Sequence, residues 1–300
     1  MADILLSSNF QWVFVSAVML GMAAGMMGTM SNLRKQGLMS DAISHAALPG
    51  VMIAFLMTGE KDLMFLIIGA GLSGLIAACL IQGIHQSTRI KEDAAMGIVL
   101  SVFFGGGIML LTIANQVGQG KQSGLDGFIF GQAASMIRSD AMIMGVLAII
   151  VMLVIVFRFK EWKVVLFDPN HAKMMGIPVK FYESFYTFLL VVTIVIGIQA
   201  VGVILMAALL IIPSVSARYW THSLLIMFVL SAVFGGISGG LGTLISAFGE
   251  GLPTGPFIVV SSSVIFLVSL FLGSKNGLWI QRMKLSKYKS LKSSHDVKED

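Results

Sequence analysis

The sequence predicts an all-α membrane protein, a polytopic bundle of about nine helices that cross the bilayer. Three observations predict it. Apolar residues make up 56% of the 300 and charged residues only 12%, against about a quarter charged in a soluble domain, whose surface must be hydrated. Mean hydropathy is +0.90. The apolar residues are also gathered into runs close to the roughly 20 residues that a helix needs to cross the hydrocarbon.

In chain order these runs are 10–30, 38–57, 63–84, 94–115, 140–157, 184–200, 224–244 and 255–273. The stretch 201–217 either extends the helix before it or returns as a short span of its own. Loop charge bears on this, because Lys and Arg concentrate in cytoplasmic loops. Arg34 and Lys35, then Arg89 and Lys91, then Arg158, Lys160, Lys163, Lys173 and Lys180 mark three basic loops. A basic tail follows the last span, with Arg282, Lys284, Lys287, Lys289 and Lys292. Placing all four in the cytoplasm requires an even number of crossings after Lys180, so 201–217 counts as a span. The expected topology is then about nine crossings, N-terminus outside and C-terminus cytoplasmic, or about eight if one element is re-entrant. Arg218 falls inside and Glu250 outside. Residues 1–274 form the transmembrane domain and 275–300 a basic cytoplasmic tail. Residues 1–9 hold no Lys or Arg, so the basic start of a signal peptide is missing and the first span is retained. A basic tail could also bind nucleic acid, but lysines directly after an apolar span fit the phosphate-rich cytoplasmic membrane face.

Small residues point to tight helix packing. Gly21 and Gly25, and likewise Gly236 and Gly240, are four apart, the spacing that lets helix backbones approach. Static packing and a moving interface both fit. The 21 methionines read as adaptable filler. Cys79 is the only cysteine, has no ligand neighbours, and reads as a small packing residue.

Polar groups in an apolar solvent carry the functional signal. The second run begins Ser40-Asp41-Ala42-Ile43-Ser44-His45-Ala46-Ala47-Leu48-Pro49-Gly50. Asp41 and His45 are four apart and share a helix face. An ionised side chain at the bilayer centre costs about 2.5–3.5 kcal/mol on insertion scales, so such residues face a partner or a watery path. Carboxylate oxygen and imidazole nitrogen together suit a divalent first-row ion. Ser40 and Ser44 add hydroxyls, and Pro49-Gly50 can free backbone carbonyls. A second reading makes Asp41 a helix N-cap with His45 merely bonded to it. Two side chains do not complete a coordination sphere; the remainder must come from elsewhere in the chain, a second subunit or water.

A short cytoplasmic helix is expected over 167–178, with Asp168 as N-cap, Pro169 at the first helical position and Gly176 as its stop. It could dock a soluble partner or simply cover the surface, where His171 is solvated. Lys91-Glu92-Asp93 opens the fourth span, its acids at a helix N-terminus. The sequence has no phosphate-binding Gly-x-x-x-x-Gly-Lys-Ser/Thr loop and no His-Glu-x-x-His pair. ATP hydrolysis, if used, belongs to a separate subunit.

The segment 40–50 resembles the Asp-Ala-x-Ser-His-x-x-Leu-Pro-Gly motif of the metal-ion ABC transporter permease family, which serves manganese, zinc and iron uptake. The likeness continues through 91–98, Leu125-Asp126-Gly127-Phe128-Ile129-Phe130-Gly131, Phe167-Asp168-Pro169, Gly176-Ile177-Pro178, 200–205, Pro213 and Leu252-Pro253-Thr254-Gly255. With 131–136 included, the wording is most similar to manganese permeases of Gram-positive bacteria. The resemblance implies a fold similar to the cobalamin-type importer permease less one N-terminal span. It implies a permease dimer of identical or related chains, two cytoplasmic ATPase subunits and an extracytoplasmic metal-binding lipoprotein. By the same likeness Asp41 and His45 contact the transported metal, with no tightly bound cofactor, and 167–178 is the ATPase coupling helix, with Asp168, Pro169, Ala172 and Gly176 its marked residues. Zinc or iron are the alternative cargoes. An intramembrane metalloprotease would need a fuller ligand set, typically three protein ligands, and an ion-coupled secondary transporter would show inverted repeats and more membrane carboxylates.

Overall fold

A computed structural model describes residues 8–59, 63–117, 131, 136–248, 252–275 and 277–280. The segment 125–130, residues 132–135, Glu250 and the tail lysines lie outside the described residues. Eleven helices are labelled in order: α1 Ser8–Leu33, α2 Gly37–Thr58, α3 Leu63–Ser87, α4 Glu92–Val117, α5 Arg138–Phe157, α6 Phe159–Phe167, α7 Pro169–Met174, α8 Val179–Val201, α9 Val203–Arg218, α10 Leu224–Ala247 and α11 Thr254–Leu272. Eight of them are long and apolar enough to cross a membrane. The all-helical bundle is as expected from composition.

The disputed stretch is a separate helix. The chain breaks at Gly202, whose φ of +92° admits a residue without Cβ far more easily than any other. After the break, Met206 packs back against Gly197, and Leu210 lies on Gly28. At 16 residues, α9 is about 24 Å long, short of the roughly 30 Å of hydrocarbon. It nevertheless runs antiparallel to α8 and ends beside the close of α11, where Lys275 N–H donates to the Tyr219 carbonyl (3.0 Å). Beside the eight full-length spans, α9 is a short returning helix, and the number of crossings stays at the expected eight or nine.

Side-chain contacts sort the helix ends into two groups. At one end Asn9 Nδ2 donates to the Met136 carbonyl (3.1 Å) and the Arg138 guanidinium lies 5.0 Å from the Trp12 ring centroid. At the other, Arg34 pairs with Glu183 (3.4 Å) and Gln36 Nε2 donates to Glu92 Oε1 (2.6 Å). The basic connections at 34–35, 89–91, 158–180 and Arg218 all lie at this second end.

Helices α1 and α8 are the most enclosed, and α4 the least, with 17% of its apolar window buried. Close packing centres on α1 against α10. Of the spaced glycines singled out in the sequence, Gly21 and Gly25 do line the contact, whereas on α10 the contacting stripe lies one residue before Gly236 and Gly240. Gly21 meets Gly235, Gly25 meets Ser231, and Ala17 meets Gly239, each backbone to backbone. Gly236 and Gly240 instead receive the side chains of Met22, Val18 and Phe14. The reason is geometric: four-residue spacing identifies a stripe, but the crossing angle decides which of two adjoining stripes faces the neighbour. Cys79 also departs from expectation. It is exposed on the outer flank of α3, because Ala77 and Ala78 take the inward positions.

Candidate metal-binding site

Helix α2 starts at Gly37, with Gln36 as its N-cap residue. Asp41 is therefore inside the helix, and the capping reading fails. Its carboxylate is 37% exposed, and His45 Nε2 lies 3.5 Å from Asp41 Oδ1 with the ring 16% exposed. That separation exceeds a good hydrogen bond, so the pair shares a face without being locked together. The His45 ring meets Phe104 of α4 edge-on, centroids 4.8 Å apart, and its Nδ1 is buried without a partner. His45 thus lies where α2 packs on α4.

Ser40 and Ser44 do not join them. Ser40 Oγ donates to the Gly37 carbonyl (2.8 Å) and Ser44 Oγ to the Ser40 carbonyl (2.7 Å), and both are fully buried. Pro49 leaves α2 continuous, yet it has no N–H for the carbonyl four residues earlier, which is that of His45. This oxygen is released on the turn that carries the pair. The next carbonyl, of Ala46, accepts from Ser73 Oγ (2.6 Å) of α3. Just beyond, Gly50 and Gly69 cross backbone to backbone, and Gly107 of α4 touches Leu48 and Pro49. Close neighbours on both sides thus flank α2 where it continues through its proline.

No group of three or more His, Cys, Asp and Glu side chains forms a metal cage among the described residues. Asp41 and His45 bring a carboxylate and an imidazole to one face of α2, donor types that a divalent ion accepts but fewer than a full coordination shell. Such a partial shell suits an ion that must also leave.

The expected helix after α6 is present as α7. Asp168 Oδ1 accepts from the His171 N–H (2.9 Å), Pro169 opens the helix, and Gly176 follows its end at φ +77°. Ala172 is fully buried against its own chain, whereas Phe167, Met174 and Met175 are exposed, Met174 at 79%. These apolar side chains went unnoticed in the sequence because single hydrophobic residues near a loop carry no periodic signal. His171 is exposed, as expected.

The chain matches the ABC 3 transport family over residues 7–273. It belongs to that family. Among its relatives, the manganese transport system membrane protein MntC of Bacillus subtilis is 48% identical over 290 residues, covering 96% of this chain and 66% of that protein. The zinc transport system membrane protein TroC of Treponema pallidum is 42% identical over 273 residues, 91% of this chain and 92% of that one. The solved structure of PsaBC from Streptococcus pneumoniae in complex with Fab superposes with a TM-score of 0.81 at 34% identity, covering 95% of this chain and 98% of its counterpart. The resemblance drawn from 40–50 and the segments after it is borne out, and the chain is a multi-pass membrane permease rather than an enzyme.

Proposed function

We propose that this chain is the permease subunit of an ATP-binding-cassette importer of divalent metal ions, with manganese its main cargo. The observation that carries the reading is the Asp41–His45 pair on a face of α2 that the chain itself covers only in part, Asp41 being 37% and His45 16% exposed. Ionised groups there are ill suited to lipid. A second permease, identical or related, covers that face and brings the remaining ligands, so the ion travels between two copies. The mostly uncovered α4 beside it supports the same arrangement. The relatives named for manganese and zinc support metal as the cargo, and the higher identity to MntC favours manganese over zinc or iron.

The end bearing Arg34, Lys180 and Arg218 faces the cytoplasm by the positive-inside rule, which puts the N-terminus outside and the 275–300 tail inside. On that side α7 is the coupling helix for a pair of ATPase subunits. Asp168 and Pro169 set its start, Gly176 its exit, and Ala172 seats it on the permease. A metal-binding lipoprotein delivers the ion to the outer side.

Cells lacking the gene and then regaining it provide the test. Restored uptake should be strongest for manganese and resist equimolar zinc and iron. Zinc or iron out-competing manganese would reassign the cargo, and no restored metal uptake would overturn the function. A second expectation concerns docking: Met174→Asp places a charge on an exposed apolar contact and should remove co-purification of the ATPase while leaving the permease monodisperse. Retention of the ATPase at wild-type stoichiometry would remove α7 from the interface.

A further inference from the structure

The α1–α2 turn is held by two polar contacts that the transport reading has not used. Arg34 pairs with Glu183 of α8 at 3.4 Å, and its guanidinium carbon lies 4.9 Å from the centroid of the Tyr186 ring. Two residues on, Gln36 Nε2 donates to Glu92 Oε1 at the start of α4 (2.6 Å). This turn leads directly into the helix that carries Asp41 and His45. On the α8 side, the contacts continue toward α7. Tyr182 meets Trp162 of α6 edge-on at 5.1 Å and Phe185 stacks on it at 6.2 Å, so one flank of α8's first turns grips α6. The adjoining flank, with Glu183 and Tyr186, grips Arg34. Between α7 and α8 the chain turns tightly, with Ile177 N–H donating to the Ala172 carbonyl (3.0 Å).

We propose that the Arg34–Glu183 pair, seated on Tyr186, is the link that carries movement of α7 to the α2 face bearing Asp41 and His45. The pair is suited to moving. It borders a polar cleft of about 490 Å³; Glu183, 43% exposed, can swing into that cleft, while Arg34, 18% exposed, keeps its seat over the Tyr186 ring. Lys180, which lines the same cleft, offers Glu183 a second cation one helical turn away. Arg34 and Glu183 are positioning residues and touch no cargo.

The inference rests on α7 being the ATPase-docking helix. The test uses the full complex with its ATPase in proteoliposomes, following ATP hydrolysed per manganese ion imported. Arg34→Glu and Glu183→Arg should each leave hydrolysis within about twofold of wild type but lower uptake about tenfold, and the double exchange should recover most of the loss, as a directly coupled pair does. A role in folding alone would lower hydrolysis and uptake together through loss of complex, with the ratio unchanged, and would overturn the proposal. So would uptake within about twofold of wild type in both single variants. Met174→Asp, measured in parallel, separates the two readings: if it abolishes ATPase docking while the exchange variants keep the wild-type ratio, only the link fails. If Met174→Asp retains docking and coupling, the reading of α7 fails, and the link falls with it.

Discussion

Asp41→Ala and His45→Ala are each expected to abolish metal-dependent uptake and growth while the permease assembles normally. The two outcomes separate because the proposed role of the side chains is to bind cargo, and their contacts contribute little to packing. Asp41 is more than a third exposed at the side of α2, and its 3.5 Å approach to His45 is too loose to hold the helix. A carboxylate placed in hydrocarbon costs about 2.5–3.5 kcal/mol on insertion scales, so its removal should leave thermal stability unchanged or slightly higher. Uptake should nonetheless be lost, because the described residues offer no third His, Cys, Asp or Glu to replace a missing donor. Labelled-manganese uptake in cells and unfolding of the purified protein in detergent measure the two effects. Near-wild-type uptake by both variants would sink the site assignment, and a large loss of stability would make the pair structural.

The parts of this protein legible in its sequence are those that depend on one helix at a time. Eight spans follow from apolar length, and the caps of α7 follow from Asp168 and Pro169, whose chemistry acts within a single turn. The side-sharing of Asp41 and His45 follows from the helical repeat alone. What remained hidden depends on pairs of helices. Ser40 and Ser44 look like site hydroxyls by proximity, but both spend their protons on their own helix. Gly235, not Gly236, meets the α1 backbone at Gly21, since adjoining stripes differ by one residue and only the crossing decides. The Arg34–Glu183 contact joins residues far apart in the chain and has no local spacing to betray it. For 201–217, loop charge favours a span of its own because it reports the whole topology at once, and the break at Gly202 makes it a separate helix.

Gly25→Leu should collapse the bundle, and with it transport, more completely than any substitution on the metal face. A Cβ at Gly25 would overlap the Ser231 carbonyl carbon and oxygen of α10, and backbone cannot rotate aside as a side chain can. On the same helix Thr29 Oγ1 donates to Ser231 Oγ (2.8 Å), a buried bond that exists only at this close approach. Forcing the helices apart would strip that bond and the neighbouring Gly21–Gly235 and Ala17–Gly239 contacts together. Within membranes such packing replaces the hydrophobic drive between helices, so the loss should reach about 3 kcal/mol, the upper end for overpacking. Gly71→Ala is the matched control, since nothing stands within 4 Å of its Cβ position, and removing a helical glycine should gain up to about 1 kcal/mol. Thermal unfolding followed by size-exclusion chromatography distinguishes them: Gly25→Leu should be lost as aggregate while Gly71→Ala elutes as wild type. Equal stability of the two would mean that α1 and α10 do not cross in this register. The metal face would then lose the packed frame that holds α2 against α9 and α3, so the fold prediction and the site prediction stand on separate measurements but share this crossing.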